Sequence, residues 1–293
     1  MAIAPIDSLK FHYILTPKYL SSFLSTLTAH KIFNIILGFQ SIHILTLIFQ
    51  KVALYHIIDI PIKFPHVDLM YKLFMILPLV EELSNYKWIG GMMDLFALFC
   101  PLILIFHKNR SLIILNLVVF LIHSLLFNIS YHHHFHFIVM YIFAYVPFIS
   151  YKSEHRQLLW EWFRYYGLFI MSSAAIWKLF RGNCFNPHQF SNILIHQHLE
   201  LLSRVDSSLY GHFIRYFIRH TLLSQWIFLG AIGLELSFIL GFFTKKYDVL
   251  LAYLLLVFLV FNWLFMGIPS IFSFIMLLPL ITSKLKGSTS ESV

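Results

Sequence analysis

Charge is what this sequence has least of. Only 12% of its 293 residues are charged, about half of the roughly 25% usual in a soluble domain. A chain so poor in charge and 59% hydrophobic cannot cover its apolar surface with solvated groups. A soluble domain is therefore excluded and a lipid surrounding is implied. Cysteine is nearly as scarce. Cys100 lies in an apolar run and Cys184 in a polar connector, with no CxxC or other metal-ligand spacing, so a disulfide framework has no basis. The apolar runs lack in/out alternation, which excludes an outer-membrane barrel. The first thirty or so residues carry Lys10, Lys18 and Lys31 and lack a compact apolar stretch followed by a small-residue cleavage site. No cleaved signal peptide is expected.

What is present is a series of apolar runs of roughly 17–22 residues, each able to cross a hydrocarbon core about 30 Å thick at about 1.5 Å per residue. The expected fold is all-α, a polytopic transmembrane helical bundle of about eight spans. These lie near 33–50, 86–106, 111–129, 135–150, 163–180, 223–243, 247–265 and 268–283. A stretch near 68–80 is too short and interrupted for a span and reads as interfacial or re-entrant. Residues 1–283 form one transmembrane domain, and KLKGSTSESV (284–293) reads as a disordered cytoplasmic tail.

The net charge of +8 gathers in short connectors: HKNR (107–110), YKSEHRQLLWE (151–161) and TKK (244–246). The positive-inside rule puts these and both termini in the cytoplasm, and the same distribution argues against nucleic acid and for the bilayer as partner. Residues 51–85, the YHHHF turn and 181–222 then lie outside. In the last of these, Phe190, Ile193, Leu194 and Leu201 have partly helical spacing, so it reads as an amphipathic cap on the outer face. Two stretches, from Trp88 and from Trp226, each run Trp, small residues, an acid followed by Leu, a basic turn and an apolar helix. They indicate a parallel duplication, with coincidence in a Phe/Leu/Ile-rich chain as the competing explanation.

Candidate chemistry centres on Lys178, at the end of YYGLFIMSSAAIWKLF. Helical spacing puts Arg164, Gly167, Met171, Ala174 and Lys178 on one stripe, whose small residues favour close approach of a neighbouring helix. Two readings of Lys178 stand side by side, a bundle-facing reactive amine and an interfacial anchor beside Trp177. The cluster His132, His133, His134 and His136 can relay protons near neutral pH. It contains no Glu or Asp and no HExxH pattern, so no metal is assigned, and a solvated turn is the alternative. Asp94 and Glu235 lie inside apolar runs and need protonation or a partner, with Arg164, Lys178 and the histidines at hand. His123 and Asn262 read as interhelical hydrogen-bonding residues.

The order of these features resembles the HTTM domain, the membrane domain shared by vitamin K-dependent γ-glutamyl carboxylases and many bacterial proteins. The carrying stretches are SYHHHFHFIVMYIFAYVP (130–147), RYYGLFIMSSAAIWKLF (164–180), GLELSFILGFF (233–243) and FNWLFMGIPSIFSFIMLLP (261–279). Ala174 and Ala175 stand for the Ala-Gly of the family's AG-x-x-KL motif, and RGNCFNPHQF stands where the family has W-x-x-G. The resemblance implies that Lys178 is a base acting on a quinone or reduced vitamin K-like molecule. It implies a helper histidine at His134, or His133 with a one-residue shift, and a site at the outer face. GLELSFILGFFTKKYDVLLAYLLL (233–256) also resembles DoxX and MauE-like membrane proteins.

The expectation is a membrane enzyme or maturation factor, in a bacterial inner (plasma) membrane, that binds a lipophilic small molecule. Lys178 serves as base, and His134 and His133 orient or relay the proton. Arg164, Asp94, Glu235 and Asn262 bind or balance charge. The alternative is a non-catalytic component, namely a scaffold, an immunity-type protein or the membrane partner of a secreted or membrane peptide. A transporter comes third. It lacks an inverted repeat, although the intramembrane acids favour it.

Overall fold

The computed structural model describes residues 28–58, 86–130, 136–150, 153–203, 208–266 and 271–282, and all regular structure among them is helical. The stretch near 68–80, the tail from 284 and the turn holding His132, His133 and His134 lie outside the described residues. In chain order the helices are α1 (Ala29–Phe49), the single turn α2 (Leu54–Ile57), α3 (Lys87–Phe106), α4 (Arg110–Ser130), α5 (His136–Ile149) and α6 (Ser153–Phe180). After a 3-10 turn at Asn183–Phe185 come α7 (Gln189–Gln197), α8 (Leu199–Ser203), α9 (Leu209–Arg219), α10 (Thr221–Ser237), α11 (Leu240–Phe243) and α12 (Asp248–Met266). A 3-10 segment, Ile271–Met276, leads into α13 (Leu277–Thr282).

Five stretches are long and apolar enough to cross a membrane: Ala29–Ile57, Lys87–Phe106, Arg110–Phe127, Thr221–Phe243 and Asp248–Met266. The chain thus has the make-up of a helical membrane protein. Three of the eight expected spans do not meet that standard among the described residues. Those near 135–150 and 268–283 form shorter apolar helices, Val139–Ile149 and Ser273–Thr282. The one near 163–180 is the second half of α6, whose length includes Glu154, Arg156, Glu161, Arg164 and Lys178. Large aromatic residues stand exposed at helix ends, among them Phe49, Trp88, Phe106, Phe180, Trp226 and Phe243.

Packing follows a reciprocal order. Helix α1 packs on α3, α3 on α4 and α4 on α5; likewise α6 packs on α10, α10 on α12 and α12 on α13. The first helix of each foursome also touches the last segment of the other, α1 against Ile271–Met276 and α6 against α5. One end of the bundle is marked by Lys108 donating to His30 Nδ1 at 2.6 Å, Phe33 stacked on Phe148 and Trp160 Nε1 donating to Thr282 Oγ1 at 2.8 Å. Burial pushes the Lys108 ammonium below its ordinary range. Within the first foursome, Gln40 Nε2 donates to the Ala97 carbonyl at 3.0 Å and Asn116 Nδ2 to Gln40 Oε1 at 3.1 Å. The Tyr145 hydroxyl donates to the same Gln40 oxygen. These buried amides and hydroxyl join four helices where water is absent to satisfy them.

Near the charged-turn end, α6 meets the α10–α12 hairpin through Arg164. Its Nε and Nη2 grip Asp248 at 2.8 Å and 2.6 Å, and Nη2 also donates to the Gly241 carbonyl at 2.7 Å. Both side chains are shut off from solvent, at 1% and 0% exposure. Asp248 is the first residue of α12, so its charge also complements the positive end of that helix. Gly241 permits the contact, because a Cβ there would lie 2.5 Å from Leu168 Cδ2. Replacing one partner strands the other charge, at a cost of about 3–5 kcal/mol. Arg164→Leu is therefore expected to lower the midpoint of thermal unfolding in detergent, and Arg164→Met with Asp248→Leu to restore most of it. A single variant as stable as the parent would contradict this assignment.

Candidate functional site

Helix α6 carries the stripe anticipated at Arg164, Gly167, Met171, Ala174 and Lys178. Gly167 and Met171 are buried and Ala174 half-buried, so the stripe faces neighbouring helices. Side chains on a helix lean toward its N-terminus. A lysine in the last turn of α6 is therefore inclined back along the helix, toward α10. There the Lys178 ammonium donates to both oxygens of Glu235, at 2.6 Å and 2.7 Å. Glu235 is 1% exposed and the Lys178 side chain 35% exposed, so the carboxylate is closed in and the lysine side chain has one open side. The anchoring position is taken by Arg181, whose guanidinium lies 4.7 Å from the centre of the exposed Trp177 ring.

On that open side lies a cavity of about 230 Å³. Lys178, Arg181, Gln189 and Asn262 face it, with Phe190, Phe228 and Phe261 among its apolar walls. The Phe190 ring is nearly parallel to Phe228 and Phe261, with centroids 5.6 Å and 5.9 Å away and interplanar angles of 18° and 19°. Buried Cys184 also borders the cavity. Just beyond Glu235, at the end of α10, Phe238 N donates to Glu235 O at 3.3 Å and Ile239 N to Leu236 O at 3.0 Å. These three-residue closures tighten the last turn, as is common at helix ends.

The cap is built from α7 to α9. Phe190 and Leu194, two of the residues read as its apolar face, are buried, and α7 packs on α9, α10 and α12. Buried His198 donates Nε2–H to the Phe265 carbonyl at 2.7 Å, and the Tyr210 hydroxyl donates to the Leu264 carbonyl at 3.1 Å. Both carbonyls belong to the last turn of α12, where no intrahelical donor remains. The cap is thereby pinned to the helix that supplies Asn262.

The anticipated site residues are thus divided. Lys178, Glu235 and Asn262 come together, the first and last on the cavity wall and Glu235 holding the lysine. Arg164 sits fourteen residues before Lys178, about 21 Å along the helix, and is taken up by Asp248. Asp94 is likewise occupied. Its oxygens accept from Leu54 N at 3.2 Å, Tyr55 N at 2.9 Å and His123 Nε2 at 2.8 Å, so it caps α2 from a different helix. Gly90 makes room for this, since a Cβ there would lie 3.0 Å from the Leu54 backbone. His133 and His134 lie outside the described residues. Arg181 and Gln189 were not anticipated; the three-residue spacing of Lys178 and Arg181 was the available signal.

If the pair is chiefly structural, its energetics follow from burial. Lys178→Ala leaves Glu235 closed in without a cation and is expected to lower thermal stability in detergent, by less than the ~3–5 kcal/mol of a fully buried pair because the lysine side chain is 35% exposed. Lys178→Met with Glu235→Leu should recover most of that loss, whereas equal instability of the single and double variants would show that the charges do not compensate each other. Comparison with models of protein families, with curated proteins and with solved structures finds no match to this chain.

Proposed function

We propose that this chain is a multi-pass membrane protein that binds a lipophilic, quinone-like molecule in the cavity beside Lys178 and carries out proton or redox-linked chemistry there. The observation that carries this reading is the coincidence of three features at one place: an aromatic-walled cavity, an amine open to it, and a closed-in carboxylate behind that amine. Largely apolar cavities with a few converging polar groups are the usual form of small-molecule sites.

In this reading Lys178 is the base. Transfer of a proton within the pair, from the Lys178 ammonium to Glu235, leaves a neutral amine facing the cavity. That amine then accepts a proton from an acidic O–H of the bound molecule. Asn262 orients the ligand, and His134, with His133 in reserve, exchanges protons with the outer face. The HTTM-like resemblance supports the lysine assignment and a reduced vitamin K-like ligand. The eight-span topology, with both termini in the cytoplasm of a bacterial inner membrane, belongs to the same proposal and is supported by the basic turns. The parallel duplication also belongs here: α1, α3, α4 and α5 would correspond to α6, α10, α12 and the 271–282 segment. The reciprocal packing of the two foursomes supports it.

A non-catalytic membrane component is the second reading, favoured by the two-oxygen grip of Lys178 on Glu235, which by itself accounts for both charges. The discriminating experiment is purification in mild detergent followed by mass spectrometry of co-purifying molecules. A near-stoichiometric lipophile that is lost from Ala231→Trp, which fills the cavity, is the expected result. A stoichiometric protein partner with no small molecule would displace the proposal in favour of the second reading. With the ligand in hand, Lys178→Ala at normal membrane abundance should lower turnover by about 10²–10⁴-fold, and unchanged turnover would remove Lys178 from the chemistry.

A further inference from the structure

The donors around the cavity are not balanced by acceptors. An ammonium has three N–H groups, and Glu235 takes two of those on Lys178. Among the described residues, the side chains of Arg181, Gln189 and Asn262 have no hydrogen-bond or ion-pair partner, and the Arg181 guanidinium lies over the Trp177 face. Glu235 neutralises Lys178, so the guanidinium of Arg181 leaves the cavity wall with a net positive charge. Arg181 is exposed and Gln189 and Asn262 are half-buried, so these donors are within reach of water and free to turn to an anionic group that enters between them.

We infer that the occupant of this cavity carries an anionic, oxygen-rich head, a carboxylate or phosphate on an apolar chain, seated on Arg181, Gln189 and Asn262 with the third Lys178 donor beside them. Guanidinium matches a carboxylate or phosphate with two parallel hydrogen bonds. The cavity, at about 230 Å³, is below the roughly 300–1,000 Å³ usual for drug-sized ligands. It therefore holds the head and the first part of the chain, and the remainder extends along the helices. The inference rests on the reading that this cavity is the ligand site. It does not rest on proton abstraction there, since a carboxylate or phosphate head is already ionised near neutral pH.

The test is native mass spectrometry of the full chain released from phosphatidylcholine nanodiscs, with dodecanoate, dodecyl phosphate and the neutral 1-dodecanol as probes. One or both anions should bind at least about tenfold more tightly than the alcohol, and whichever binds assigns the head as carboxylate or phosphate. Arg181→Gln should bring the anions down to the level of the alcohol, Arg181→Lys should keep part of the preference, and Ala231→Trp should remove all three. Equal binding of anions and alcohol, or an anion preference untouched by Arg181→Gln, overturns the anionic head while leaving a lipophile site in place. Binding no greater in the parent than in Ala231→Trp, for every probe, overturns the ligand site itself.

Discussion

A charge in a lipid-embedded bundle must find its opposite, and the arrangement of this protein is organised around helix α6, which carries two such charges on one face. Arg164 and Lys178 are separated by nearly four helical turns, and each reaches an acid on the α10–α12 hairpin. The first pair is sealed, with each nitrogen of the guanidinium donating to Asp248, Gly241 or Glu161. The second is sealed on the acid's side alone. The two contacts fix the hairpin's height and rotation against α6, and the difference between them marks one as a clasp and the other as a place where chemistry has room.

That room exists because the residues after α6 fold back over its end. The polar connector 181–220 would be a solvated loop if it had no other obligations. His198 and Tyr210 instead satisfy carbonyls that the last turn of α12 cannot satisfy itself, while Phe190 and Leu194 fill the space between α10 and α12. The cavity is what remains where these aromatic rings stop short of the ion pair.

Composition and run length made the helical membrane character legible, because both follow from the cost of exposing apolar surface to water and backbone to lipid. The stripe on α6 was equally legible, since three- and four-residue spacing determines which side chains share a face. Partners were harder to read. Asp248 stands at the start of the expected 247–265 span with no role assigned, yet it is buried against Arg164, where Gly241 lets two helices approach closely. Asp94 was visible as an intramembrane acid, but its main partners are backbone N–H groups of α2, and no residue pattern announces a helix capped from another segment. Arg181 read as the first charge of a connector; only the fold of that connector turns it toward a cavity.

The reciprocal packing bears on the order in which the protein can assemble. Helix α1 is synthesised early, yet one of its contacts is the 271–282 segment, made after more than two hundred further residues have followed. Neither foursome can close its surface alone during synthesis. Helix α1 therefore lacks one of its neighbours until the 271–282 segment has been made.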